Sequence, residues 1–232
     1  MKILAIIPAR GGSKGVPAKN IKLLNGKSLL AYTAEIALQS SYLTEVILSS
    51  EDEQIIKTAK SLGVKVPFRR PLSLAQDHTP SLDVVLHAVQ WYEKQNRYFD
   101  AVCLLQVTSP FRTLEFLDQA IEKFVSSGCD SLVSVQRVPA AFNPHWAFEV
   151  NTDGHLKIAT GETEIIARRQ ELPVAFHRDG SIYITKTEVL LKQKSLYGKS
   201  IAYIESDAKF YVNIDTMSDW EKAEELIQNK LK

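Results

Sequence analysis

The stretch "KILAIIPARGGSKGVPAKN", residues 2–20, decides how this chain is read. Its first half is a nearly continuous apolar run, the pattern of a strand buried on both faces of a parallel sheet. The run then breaks into Gly11, Gly12 and Gly15, with Arg10, Lys14 and Lys19 around the break. Ligands on open α/β sheets sit outside the carboxyl ends of the strands, so a glycine loop leaving the first strand already stands in a binding position. Glycines let backbone N–H groups approach an anion, an arginine grips two oxygens as a fork, and lysines add point charges. The loop has neither the G-x-x-x-x-G-K-S/T spacing of an ATPase phosphate loop nor the G-x-G-x-x-G of a dinucleotide fold.

Charge strengthens this reading. Lys2, Arg10, Lys14, Lys19, Lys22 and Lys27 all precede the first acidic residue, Glu35. The whole chain balances 28 Lys and Arg against 27 Asp and Glu for a net +1, which gives no general attraction to nucleic acid or to an anionic membrane. Anion recognition must therefore be local.

Working outward, similar runs recur at 45–50, 101–107 and 131–137, and between them residues 28–38, 51–62, 81–94 and 113–126 carry apolar positions at helical spacing. This alternation predicts an α/β fold with a Rossmann-like, doubly wound, mostly parallel sheet. After Pro139 the pattern becomes irregular, with "AFEVNTDGHLKI" turning at Asp153-Gly154, so residues 138–175 read as an insertion. Strand character returns at 180–186, 200–206 and 209–215, and a closing helix is expected from Ser218, with Ser218 and Glu221 spaced as a capping box.

At 232 residues and 45% hydrophobic content, one domain over 1–232 is expected. Cys103 and Cys129 lie in apolar or strand-like sequence without C-x-x-C spacing and read as buried thiols in a reducing compartment. The short apolar N-terminus, interrupted by Arg10, is expected to be neither signal peptide nor membrane span, and the protein to be cytoplasmic.

The pattern "IPARGGSKGVPAKN" resembles the opening signature of the CMP-N-acylneuraminate synthetase family, the cytidylyltransferases that activate nonulosonic acids such as sialic acid. The resemblance continues, in the family's order, through "RRPLSLAQDHTPS" (69–81), "LLQVTSPFRT" (104–113), "RRQELPVAFHRDGSIYI" (168–184) and "NIDT" (213–216). It implies a nucleotidyltransferase fold, a Mg2+-dependent reaction of CTP with a nonulosonic acid, and a homodimer in which the insertion at 138–175 is a dimerisation lobe reaching toward the partner's active site.

Carried over residue by residue, the resemblance makes Arg10, Ser13, Lys14, Lys19 and Asn20 the triphosphate loop, and Arg70 and Ser81 further nucleotide contacts. Taken alone, Arg70 is a loop cation and Ser81 a helix cap. Gln106 is implied to face the sugar acid, where its amide both donates and accepts. Arg169 matches the family's carboxylate-clamping arginine, while His177 and Asp179 stand where sialic-acid members carry the arginine and asparagine of "FRPNG", as substrate-side positions. Asp215 occupies the position of a metal-binding carboxylate and Asn213 that of a second one in the usual "DIDT". The implied catalytic set is Arg10, Lys14, Lys19 and Asp215, with no general base assigned. Two other readings stay open: a nucleotidyltransferase joining another NTP to a sugar 1-phosphate, and a nucleotide-binding regulatory module without turnover.

Overall fold

The computed structural model describes residues 1–230. The opening run forms β1 (Ile3–Pro8). Its alternate side chains fill two separate cores, Ile3, Ala5 and Ile7 in one and Leu4 and Ile6 in the other, which is why the run has to be apolar throughout. A two-residue hairpin, β2 (Leu23–Leu24) and β3 (Lys27–Ser28), turns at Asn25 and Gly26, both with positive φ, and feeds α1 (Leu29–Gln39). Then follow β4 (Glu45–Ser49), α2 (Glu53–Ser61), α3 (Ser81–Lys94), β5 (Ala101–Leu104), α4 (Leu114–Ser127) and β6 (Ser131–Arg137). Side chains cap two of these helices: Asp52 accepts from the backbone N–H groups of Gln54 and Ile55, and Thr113 accepts from that of Phe116.

Beyond β6 the inserted segment carries a small hairpin, β7 (Phe148–Val150) and β8 (Leu156–Ile158), and the chain returns in β9 (Phe176–Lys186). The last elements are α5 (Thr187–Gln193), β10 (Ile201–Glu205) and α6 (Met217–Lys230). The main sheet has the order β10-β6-β9-β5-β1-β4, with β9 antiparallel to both neighbours and the other strands parallel. Buried residues of α1, α2, α4 and α6 pack with one face and those of α3 and α5 with the other, the two-sided covering expected of a doubly wound sheet. Because β4 and β5 flank β1 on opposite sides, the order reverses at β1, and a crevice opens there at the carboxyl ends. Among the described residues no helix is long and apolar enough to cross a membrane.

Three expectations change. Residues 209–215 are not a strand: a 3-10 turn, Ala208–Phe210, leads into a loop in which Val212 and Ile214 are buried and the Ile214 N–H donates to the Thr108 carbonyl. The alternation was real, but the place beside β5 and β6 is already taken by β9. The capping box at α6 is Thr216 with Asp219, whose carboxylate accepts from the Thr216 N–H at 2.8 Å while the Asp219 N–H points back at the Thr216 hydroxyl; Ser218 and Glu221 do not form it. Finally, β9 starts at Phe176 rather than near 180, and its pairing with β6 slips between Val133 and Val135. Gly180, at φ +81°, lies within the irregularity, a conformation that side chains other than glycine's adopt poorly.

The inserted segment leaves from β6 and rejoins through β9, closed by the Val138 N–H to the Ala175 carbonyl and by Asn143 Nδ2 to the Pro173 carbonyl. The Trp146 indole N–H donates to the Ile166 carbonyl within the lobe, whereas Phe142, Phe148, Val150, Leu156 and Ile165 are exposed.

Candidate active site

A cleft of about 690 Å³ occupies the crevice at the end of β1. Four separate segments line it: the loop after β1, the stretch 70–84 entering α3, the residues following β5, and the loop before α6. It gathers Arg10, Ser13, Lys14, Lys19, Asn20, Arg70, Ser81, Gln106, Asn213 and Asp215 from the residues singled out in the sequence.

The loop is shaped by its own side chains. Asn20, buried, donates its amide to the Arg10 carbonyl at 2.9 Å and so closes the turn. Gly15 passes so close to the loop before α6 that a Cβ built on it would lie 2.0 Å from the Asp215 carbonyl oxygen. Only glycine allows that approach. Lys19 reaches across the same junction, donating to the Ile214 carbonyl at 2.7 Å and to Asp215 Oδ1 at 3.0 Å. The first loop and Asp215, far apart in sequence, are thus one unit.

Arg70 is buried and donates to the Ser49 hydroxyl at the end of β4 and to the Ser49 carbonyl. Burial pushes its guanidinium down to about 10, so it keeps its charge at neutral pH. Ser81 is the first residue of α3, whose N-cap, Pro80, supplies no side-chain acceptor. The positive end of a 14-residue helix therefore faces the cleft without a capping side chain. With four cations, Arg10, Lys14, Lys19 and Arg70, against Asp77 and Asp215, the cleft has the charge of a polyanion site, while Leu74, Val84 and Val107 give it an apolar wall.

Asp77 was not singled out by the sequence reading, although it lies within "RRPLSLAQDHTPS". Its Oδ1 is 2.5 Å from Arg10 Nη1 and its other oxygen contacts Lys14 Nζ. These hydrogen bonds, that from Lys14 first and then that from Arg10, hold the Asp77 carboxyl below its ordinary range. A second omission is Arg112, buried at the start of α4, which donates to the Gln106 carbonyl at 3.1 Å and to the Ser181 carbonyl, tying the end of β5 to β9. The signal for it was an arginine in a turn between two apolar segments, "SPFRT".

The substrate-side candidates are divided. Gln106 faces the cleft, its Oε1 3.2 Å from where a Cβ on Gly180 would lie. Arg169 is on the lobe, in a separate recess with Arg137 and Asn143. His177 is exposed on β9, with Nδ1 3.2 Å from the Arg178 carbonyl oxygen, and does not line the cleft. Asp179 does not line it either. It is buried in the β9 irregularity, where Oδ1 accepts from the Ser181 N–H and the Ser134 hydroxyl, a structural use of a short carboxylate at a bulge.

The metal candidates also behave differently from each other. Asp215 is 60% exposed in the cleft. Asn213 donates Nδ2 to Asp215 Oδ2 at 2.6 Å, and its Oδ1 is buried without a partner. Asp215 fits a magnesium ion that takes one carboxylate and completes its shell with water and substrate phosphate. Asn213 presents its amide N–H to that carboxylate and so orients Asp215. Among the described residues no group of three or more His, Cys, Asp or Glu is able to hold a metal.

Comparison with known proteins agrees with this geometry. Residues 4–232 match the family model described as Cytidylyltransferase. The chain is 35% identical to CMP-N,N'-diacetyllegionaminic acid synthase of Legionella pneumophila, over 98% of this chain and 97% of that protein. It is also 35% identical to pseudaminic acid cytidylyltransferase of Campylobacter jejuni, over 96% of this chain and 95% of that protein. The fold matches the structure of CMP:2-keto-3-deoxy-manno-octonic acid synthetase complexed with CTP, with TM-score 0.74 at 20% identity, covering 99% of this chain and all of the other. By a match that runs nearly end to end, on a chain whose cationic loop opens at the sheet's switch point, this protein belongs to the cytidylyltransferase family.

Proposed function

We propose that the protein transfers CMP from CTP to the anomeric hydroxyl of a nonulosonic acid and releases pyrophosphate. The observation that carries this reading is the convergence of Arg10, Lys14, Lys19, Arg70 and the open N-terminus of α3 on one cleft that also holds Asp215. The names of the relatives, synthases and transferases of CMP-linked legionaminic and pseudaminic acids, point to the same acceptor class.

In this reading the anomeric oxygen attacks the α-phosphorus, the bond from that phosphorus to the pyrophosphate oxygen breaks, and the hydroxyl proton is lost. Such chemistry is mostly positioning and charge stabilisation. Arg10 and Lys14 hold the pyrophosphate portion and offset the charge that grows on it, and Arg70 and Ser81 grip the rest of the nucleotide. Gln106 orients the sugar acid, with its backbone fixed by Arg112. A magnesium ion held by Asp215 would supply Lewis acidity toward the phosphate oxygens. Lys19 keeps Asp215 in place and neutralises part of its charge.

The exposed apolar residues of the lobe support a homodimer in which residues 138–175 pack on a second copy, a face too apolar to suit free solvent. Arg169, remote from its own cleft, would then serve the partner's, clamping the acid's carboxylate, with His177 at the edge of that substrate site. The use of CTP suits a cytoplasmic enzyme.

The test is pyrophosphate release by purified protein across the four NTPs and a panel of nonulosonic acids. Release with CTP plus one such acid is expected. Release with UTP or GTP and a sugar 1-phosphate would refute the assignment, and tight CTP binding without release would mark a regulatory module instead. Sedimentation showing only monomer at micromolar concentration would refute the dimer.

A further inference from the structure

We propose that Asp77 is a built-in competitor for the pyrophosphate subsite, which keeps bare phosphate anions out and helps expel pyrophosphate after transfer. The inference rests on the reading that Arg10 and Lys14 grip the polyphosphate. Both cations already face a carboxylate, with Asp77 Oδ1 2.5 Å from Arg10 Nη1 and its second oxygen on Lys14 Nζ. Two carboxylate oxygens bridging two cations copy what two phosphate oxygens would do there.

Asp77 comes from the opposite wall of the cleft, on the loop between the turn Leu72–Leu74 and α3. That loop is braced internally, by Gln76 Nε2 to the Leu72 carbonyl at 2.8 Å and the Gln76 N–H to the Thr79 hydroxyl at 3.2 Å. The carboxylate is therefore held in the cleft by its own segment as well as by the cations. Lys14 is 83% exposed and Asp77 40%, so solvent weakens the pairs enough for a ligand to open them. CTP brings the contacts of its nucleoside and three phosphates to offset the displacement. Orthophosphate and pyrophosphate bring no nucleoside, so the same cost falls on them in full.

The experiment measures calorimetric binding of CTP, CMP, pyrophosphate and orthophosphate to the wild type, Asp77→Asn, Asp77→Ser, Arg10→Ala and Asp77→Asn/Lys14→Gln. Both Asp77 variants should bind pyrophosphate about tenfold tighter or better, with measurable orthophosphate binding and a steeper salt dependence, since the local charge rises by one. Their affinity for CMP should stay unchanged, and Lys14→Gln should cancel most of the gain. Pyrophosphate should become a correspondingly stronger product inhibitor. Pyrophosphate affinity within twofold of wild type, or weaker, would overturn the inference. So would loss of folding in both Asp77 variants, which would make the pairs structural. If the wild type binds CTP and Arg10→Ala loses it while Asp77→Asn changes nothing, only this inference fails. If Arg10→Ala binds CTP as the wild type does, the reading of the loop fails with it.

Discussion

Replacing Gly15 by alanine should separate activity from stability. A Cβ at this position would lie 2.0 Å from the Asp215 carbonyl oxygen and 3.2 Å from its carbonyl carbon, both backbone atoms that cannot rotate away. Ordinary contact needs roughly 3.2–3.4 Å, so the two loops have to separate by about 1 Å. That displacement falls on the junction where Lys19 bonds Ile214 and Asp215, and hence on the cationic loop and the carboxylate together. A misplacement of about 1 Å in a positioned site costs on the order of 100-fold, or ~2.7 kcal/mol of transition-state stabilisation. Gly12→Ala is the control, because a Cβ there meets nothing nearer than Arg10 Nη1 at 3.8 Å. Steady-state pyrophosphate release, read as kcat and KM for CTP, should show a loss of about 100-fold in kcat/KM for Gly15→Ala and a few-fold at most for Gly12→Ala. Thermal melting should fall as well but less steeply than activity, since Val16 and Ile214 beside the contact belong to the core yet no core side chain is removed. Gly15→Ala with activity within threefold of wild type would refute the claim that this contact sets the site.

Other expectations follow from the same structure. Asn213→Asp replaces the donor at 2.6 Å from Asp215 with a second carboxylate, so the pair should recruit a cation; the Mg2+ midpoint of pyrophosphate release should fall, and an unmoved midpoint would leave Asn213 with no bearing on the metal. Burial pushes the Glu45 carboxyl up, but hydrogen bonds from Arg97 and Tyr92 and the charge of Lys65 outweigh it and hold it below its usual value. Its stabilisation is therefore present above the ordinary glutamate range, near pH 4.3, and is lost as pH falls through the lowered value. Arg97→Ala should lower the melting temperature at pH 7, and its difference from wild type should shrink as pH falls below the ordinary glutamate range and Glu45 becomes protonated in both proteins. Burial pushes the Cys103 thiol up to about 12, so at pH 8 a thiol reagent should label Cys129 in the native protein and Cys103 only after denaturation.

Much of this protein is decided by local sequence. The apolar run before Arg10 suits a strand buried on both faces, where every one of its side chains is used, and the glycines and cations after it read as an anion loop wherever that strand ends. Helical spacing in 81–94 and 113–126 likewise acts within a few turns, and both helices fold as read. What depended on the tertiary structure were choices between segments far apart in the chain. Residues 180–186 and 209–215 both read as strands in the sequence, but the sheet has one gap between β5 and β6, and β9 fills it. The pairing of β9 with β6 buries Asp179 in its irregularity, away from the cleft at β1, with Oδ1 accepting from the Ser181 N–H and the Ser134 hydroxyl. Asn213 reads as a weakened metal ligand in the sequence, but the direction of its amide, set by the loop's path past Gly180, makes it a donor to Asp215. Asp77 is one polar residue in a polar loop until the fold sets it against Arg10 and Lys14. Charge pairing acts over a few ångströms of space, and separation along the chain does not carry that distance.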